Sequence, residues 1–129
     1  MKIYYAHHQW KYGTKIEEYE LDLIKTYFCN ADIFNPSTDM NVAGKTEEEI
    51  MNICLEQVNK SDIVVFSSVD GVIGKGVYTE LERAEFIGTP ILYISNGYLI
   101  PSEDIIIRRS FGPRSYDRVY GYVMVKGVK

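Results

Sequence analysis

Short apolar runs alternate along this chain with longer segments in which apolar residues recur at helical intervals. The spacing predicts buried strands at Lys2–Ala6, Asp32–Phe34, Ile63–Phe66 and 91–94, separated by helical segments. Strands joined by helices form a parallel sheet with helices on both faces. We therefore expect an α/β fold over residues 1–129. It is a single doubly wound, flavodoxin-like or Rossmann-like domain, whose five-stranded, mainly parallel sheet has the order 2-1-3-4-5.

Helix boundaries in the sequence come from capping signals. Thr14 with Glu17, and Thr46 with Glu49, have the spacing of a capping box. A third helix should end at Gly88, because glycine is the common residue just past a helix end. The predicted helices are 15–28, 47–60 and 77–87.

The last third of the chain gives weaker signals. Residues 102–109 are consistent with a short helix, but residues 105–107 are equally consistent with a strand. Residues 119–125 are predicted as the final strand of the sheet. Both alternatives for 102–109 stay open at this level.

Composition excludes several classes of partner. The net charge of −4, with scattered Lys and Arg residues, argues against a nucleic acid polymer as ligand. The sequence lacks a signal-peptide pattern and an apolar run near ~20 residues, so we expect a cytoplasmic protein without a membrane partner. Cys29 and Cys54 lack the paired spacing of a zinc or redox site and are expected as reduced thiols. No metal and no cofactor are predicted.

A glycine-rich turn follows the third strand at residues 70–76. In a sheet of this order, ligands bind beyond the carboxyl ends of the first and third strands. Glycine lets the backbone approach a ligand, and the amides that begin the next helix favour an anion or the polar edge of a sugar. A tight connection without a ligand is the alternative. The residues expected to contact a nucleoside or nucleotide here are Gly71, Gly74, Lys75 and Gly76.

The segment after the first strand is the second part of this expected site. His7 and His8 are adjacent, and adjacent residues at a strand end point to opposite sides, so at most one should face the ligand. His7 is either a substrate contact or a buried histidine satisfied by the protein. Trp10 and Tyr12 are expected either to stack on a base or to form a subunit contact.

Four stretches of the sequence together resemble one enzyme family. They are 61–66 (SDIVVF), 70–71 (DG), 74–84 (GKGVYTELERA) and 88–91 (GTPI). The pattern is similar to that of the nucleoside 2-deoxyribosyltransferases and the related deoxynucleoside-monophosphate N-glycosidases. The matching part covers about thirty residues, with a compatible order of elements over the rest.

The resemblance implies roles for particular residues. Glu80 matches the family's nucleophile, which forms a covalent glycosyl-enzyme intermediate, and Asp70 is the candidate to protonate the departing base. Gly74 stands where the monophosphate glycosidases carry a phosphate-binding serine, which leaves the need for a phosphate open. Relatives are homo-oligomers in which a neighbouring subunit helps to close the site, and Asp117 is the candidate for that role.

Three functions are therefore weighed. The first is cleavage or exchange of the N-glycosidic bond of a nucleoside or nucleotide. The second is a non-catalytic protein that binds a nucleotide or an ADP-ribose-like signal, with Glu80 serving only to cap its helix. The third is glycosidase chemistry on a dinucleotide such as NAD.

Overall fold

The computed structural model describes residues 1–109 and 121–127. Within them the chain forms two β-sheets and three α-helices. The strands are β1 (Lys2–Ala6), β2 (Asp32–Phe34), β3 (Ile63–Phe66), β4 (Val72–Ile73), β5 (Ile91–Ser95), β6 (Tyr98–Pro101), β7 (Ile105–Arg109) and β8 (Gly121–Val125). The helices are α1 (Lys15–Tyr27), α2 (Glu47–Asn59) and α3 (Lys75–Ile87).

The larger sheet has the order β2-β1-β3-β5-β6. Its first four strands are parallel, and β6 returns beside β5 as an antiparallel hairpin. The α/β class with a mostly parallel sheet is confirmed, but the predicted strand order is wrong at its last position. The hairpin turn at Asn96 and Gly97, both with positive φ, places β6 at the edge that residues 119–125 were expected to occupy.

The smaller sheet is antiparallel and has the order β4-β8-β7. It contains the described part of the expected last strand, which pairs with β7 and β4 rather than with the main sheet. Of the two alternatives for residues 102–109, the strand is correct for 105–109, preceded by a single 3₁₀ turn. Three consecutive isoleucines favour the extended backbone over a helix.

The helices lie on both faces of the larger sheet. One core cluster packs β1, β3 and β5 against α2 and α3, and it also contains residues of the small sheet. The second cluster packs the opposite face against α1. Because neighbouring residues of a strand point to opposite faces, Tyr4 belongs to the first cluster and Tyr5 to the second. Both rings are fully buried, so each hydroxyl requires a partner inside the protein.

Capping explains where the helices begin and end. Thr46 and Glu49 form the expected capping box of α2, and the Thr14 hydroxyl accepts the Glu17 N–H at the start of α1. Helix α3 begins at Lys75, two residues earlier than predicted, because Gly74 is its extended N-cap. Gly88 ends α3 in the left-handed conformation. Within the described residues, no helix has the length and apolar character needed to cross a membrane.

Candidate functional site

A cleft of about 860 Å³ lies beside the carboxyl end of β1. Its walls are the segment that follows β1, the first turns of α2 and the first turns of α3. Strand β1 has β2 on one side and β3 on the other, so the cleft lies where the strand order reverses. This is where ligands bind in open α/β sheets. The volume is within the range of small-molecule sites.

Glu80 lies in the wall of this cleft, although only 5% of the residue is exposed. It is on the second turn of α3, where it faces the sheet, and the Tyr4 hydroxyl of β1 donates a hydrogen bond to its Oε2. Burial raises the pKa of Glu80 to about 7, against the interactions with Tyr4 and Cys54, which lower it. A large fraction of these carboxyl groups is therefore ionised at neutral pH, with the Tyr4 hydroxyl already directed at the charge.

Cys54 of α2 is the third member of this buried group. Its Sγ–H donates to the Met40 sulfur at 3.9 Å, and the thiol also interacts with Glu80, whose pKa it lowers. Burial, followed by the charge on Glu80, raises the pKa of Cys54 to about 11. The thiol therefore stays protonated at neutral pH and is not a nucleophile there.

Both histidines after β1 line the cleft, contrary to the expectation that only one would face it. A 3₁₀ turn begins after His8, which ends the strand alternation. His7 is buried, with Nε2 2.6 Å from Glu17 Oε2 and Nδ1 3.2 Å from the Tyr5 carbonyl oxygen. Since both of its ring nitrogens contact the protein, His7 matches the alternative of a satisfied core histidine. The Nδ1 of His8 accepts the Trp10 N–H at 3.0 Å, which places the proton of the neutral ring on Nε2.

A second buried polar network anchors the segment between β1 and α1. Lys11 Nζ lies 2.9 Å from Glu20 Oε2, 2.9 Å from Ser67 Oγ and 2.7 Å from the Ser68 carbonyl oxygen. Glu20 also accepts hydrogen bonds from the Tyr5 hydroxyl and from Ser67. The three donors of the ammonium group are thus engaged, and this wall of the cleft is tied to α1 and to the end of β3.

Some of the other residues predicted for the site line the same cleft as Glu80, and others do not. Gly74, Lys75, Gly76 and Tyr12 line the same cleft as Glu80. Of the remaining ones, Asp70 is exposed in a turn with φ of 52° and is not among the lining residues. The structure therefore does not bring Asp70 and Glu80 together in one cleft.

Gly71 and Trp10 also lie outside the lining of the cleft. The carbonyl of Gly71 accepts the Val123 N–H at 2.8 Å, so this glycine joins the turn to β8. The ring of Trp10 is 57% exposed and packs against His8 at 4.4 Å between centroids. Asp117 lies outside the described residues.

Several residues of the site were not identified from the sequence. Tyr4 and Cys54 beside Glu80 were assigned to the core or to no role, although a tyrosine in an apolar strand signals a buried partner for its hydroxyl. Helix α2 was assigned no function, yet its first turns form one wall. The residues that it contributes are Glu47, Glu48, Ile50, Met51, Asn52 and Cys54.

The described residues do not present a metal-binding set. Among residues 1–109 and 121–127, no group of three or more His, Cys, Asp and Glu side chains is arranged to hold a metal ion. The polar groups of the cleft instead include the buried carboxyl of Glu80, two imidazoles, a lysine at the start of a helix and the side chains of Glu47, Glu48 and Asn52. This set is suited to nucleophilic and proton-transfer chemistry on an organic ligand.

Comparison with known proteins adds information on the fold. No protein-family model matches the chain, and no curated protein is significantly similar to it. One solved structure that matches, described as a conserved protein from Enterococcus faecalis V583, has a TM-score of 0.63 and 22% sequence identity. The match covers 72% of this chain and 62% of that one, so this chain spans less than two thirds of its length. At this identity the likeness shows a shared α/β fold.

Proposed function

We propose that this protein cleaves or exchanges the N-glycosidic bond of a nucleoside or nucleotide, with Glu80 as the nucleophile. The observation that carries the proposal is a buried carboxyl, held by the Tyr4 hydroxyl, in the wall of a cleft at the switch point of the sheet. A carboxyl that only capped its helix would be expected in the first turn and exposed to water. Glu80 is one turn further along and 5% exposed.

The reaction takes place in two steps at the anomeric carbon. A carboxylate oxygen of Glu80 bonds to that carbon as the carbon–nitrogen bond breaks, and the electron pair of the broken bond leaves with the base. The base takes up a proton as it departs. Water or a second base then attacks the same carbon and releases Glu80, which gives hydrolysis in the first case and base exchange in the second. The negative carboxylate also stabilises the positive charge that develops on the sugar.

His8 is a proton donor in the lining of the cleft. Its ring lines the cleft, and its Nε2 carries the proton in the neutral form. Asp70, the donor expected from the sequence, lies outside the lining and would need to approach with its turn. Substitution of each residue distinguishes the two: His8→Gln should slow release of the base, whereas Asp70→Asn should not if His8 is the donor.

The alternative function is binding of a nucleotide without turnover. The observation in its favour is the raised pKa of Glu80, because a carboxyl that is partly protonated can hold a ligand as a neutral hydrogen-bond donor. The cleft also contains an α3 start without a side-chain cap, with Lys75 beside it, which suits an anionic group on a bound ligand.

The deciding experiment is a chromatographic screen of the purified protein against nucleosides, deoxynucleosides, their monophosphates and NAD, each with and without a free acceptor base. The test variant is Glu80→Gln, which keeps the shape of the side chain and an acceptor for Tyr4. The matched control is Glu82→Gln, an exposed glutamate on the same helix.

We expect release or exchange of the base by the native protein and by Glu82→Gln but not by Glu80→Gln. Because the nucleophile must be ionised, kcat/KM should rise with pH and level off above about 7. Equal turnover by Glu80→Gln would reject Glu80 as the nucleophile. Unchanged ligand retained by native protein and variant alike would favour the binding function.

A further inference from the structure

Strand β7 lies at the edge of the small sheet. Its partner is β8, and within residues 1–109 and 121–127 no strand pairs with its other side. An open edge of this kind is a template for pairing with another strand. Beside it lies a groove of about 390 Å³ between β7 and α3, to which Ile105 and Ile107 contribute.

The hydrogen bonds of the ladder show which backbone groups point to the open edge. The Lys126 N–H donates to the Asp104 carbonyl at 2.8 Å, whereas the Val123 N–H donates away from β7, to Gly71, at 2.8 Å. Hydrogen-bonded and non-bonded pairs alternate along an antiparallel ladder. The even-numbered residues of β7 therefore bond to β8, and the N–H and C=O groups of Ile105 and Ile107 point outward.

The charged residues along this edge are acidic at one end of β7 and basic at the other. Residues 103–109 have the sequence EDIIIRR, with two carboxylates at the start, three isoleucines and two arginines at the end. An antiparallel copy centred on Ile106 places Ile105 opposite Ile107, and Asp104 opposite Arg108. Glu103 falls opposite Arg109, whose guanidinium carbon also lies 5.9 Å from the centroid of the Tyr78 ring.

We propose that two copies of this chain associate through β7, as antiparallel strands about a two-fold axis at Ile106. In this register the outward N–H and C=O groups of Ile105 form hydrogen bonds with those of Ile107 of the second copy. By symmetry, Ile107 forms the same hydrogen bonds with Ile105 of the second copy. These pairs use the backbone groups that point to the open edge of β7. Asp104 and Arg108 are both exposed, and each lies opposite the other in the second copy, so the two-fold axis produces two such pairs.

The same contact also extends the apolar face of the small sheet. Tyr122 and Met124 of β8 are 48% and 47% exposed, and they lie on the same face as Ile106. Pairing two small sheets edge to edge extends this face into one six-stranded sheet and brings Ile106 against its own copy. The association is independent of the chemistry proposed for the cleft.

The test is sedimentation velocity of the full chain and of two charge reversals, Asp104→Arg and Arg108→Asp. Each reversal alone places like charges opposite each other at two symmetric positions, and we expect each to weaken the dimer by about tenfold or more. Mixed in equal amounts, the two variants regain opposite charges at both positions, so we expect a heterodimer. Circular dichroism confirms that both variants are folded.

Hydrogen exchange of the native protein checks the register without any substitution. The amides of Ile105 and Ile107 should become protected as the protein concentration rises, while those of Ile106 and Arg108 should be unchanged. A native protein that sediments as a monomer at all concentrations overturns the proposal. So does a dimer that both single reversals leave intact, or a mixture that remains monomeric.

Discussion

The buried carboxyl of Glu80 should make the free energy of unfolding depend on pH in a way that requires no knowledge of the substrate. Its pKa is raised from an ordinary value of 4.5 to about 7 in the folded protein. Between these two values the unfolded chain releases the proton and the folded chain keeps it. The native protein therefore loses stability as pH rises through this window, and the contribution is constant below 4.5 and above about 7.

The magnitude follows from the size of the shift. A difference of about 2.5 pKa units corresponds to about 3.5 kcal/mol over the whole titration, and to about 3 kcal/mol between pH 4.5 and 8, because one pKa unit is about 1.4 kcal/mol. Glu80→Gln removes the titration and retains an acceptor for the Tyr4 hydroxyl. When the pH is raised from 4.5 to 8, the free energy of unfolding of the variant should rise by about 3 kcal/mol relative to that of the native protein.

The assay is urea unfolding followed by circular dichroism at intervals across this range. The difference in unfolding free energy between variant and native protein isolates Glu80, because the titrations of all other groups cancel. Glu82→Gln is the control and should differ from the native protein by a constant amount. If the difference in unfolding free energy between Glu80→Gln and the native protein is also constant across this range, the pKa of Glu80 is not raised. The inference that burial raises this pKa would then be refuted.

Three further perturbations test the surrounding structure. Tyr4→Phe removes the hydrogen bond to Glu80, worth about 1.5–3 kcal/mol for a charged acceptor, and should raise the pKa of that carboxyl by about one unit or more, measured by the same pH series. Lys11→Met leaves Glu20 as an uncompensated buried charge and should cost about 3–5 kcal/mol in urea unfolding, part of which Glu20→Gln in the same chain restores. Gly88→Ala forces a side chain into the left-handed region, with φ of 79°, and should cost about 1–2 kcal/mol.

Two control substitutions on the surface of α1 accompany these three variants, and particular outcomes would contradict the predictions. Tyr27→Phe and Lys25→Met alter exposed residues and should leave stability nearly unchanged. An unshifted titration in Tyr4→Phe would show that its hydroxyl does not stabilise the carboxylate. Equal stability of Lys11→Met and the native protein would show that the ion pair contributes nothing. For Gly88, nothing lies within 4 Å of an added Cβ, so a loss reports backbone strain alone.

The sequence alone determined three parallel strands of the larger sheet and the starts of two helices. β1, β2 and β3 were predicted with the bounds that the structure has, because each is a short run of apolar residues between polar turns. The starts of α1 and α2 followed from the capping spacing at Thr14 and Thr46. These signals are local, so a single sequence contains them in full.

The sequence also indicated Glu80 and the glycine turn as the candidate site, through the resemblance of one short stretch to a family. It did not indicate Tyr4 or Cys54 beside that carboxyl, or the Lys11 network behind the cleft. The residues that these contacts join are 76 positions apart for Tyr4 and Glu80 and 56 positions apart for Lys11 and Ser67. Periodicity within a segment contains no information about which buried polar groups meet across the core.

Tertiary structure alone decided the edges of the two sheets. The same β-branched pattern predicts a strand at 121–125 whether it joins the larger sheet or forms a second one. The choice depends on the hairpin at Asn96 and Gly97, which fills the edge beside β5, and on the hydrogen bond that joins Val123 to Gly71. A strand's identity is a property of its own residues, but its partner is selected by which backbone edge remains open after the rest of the chain has packed.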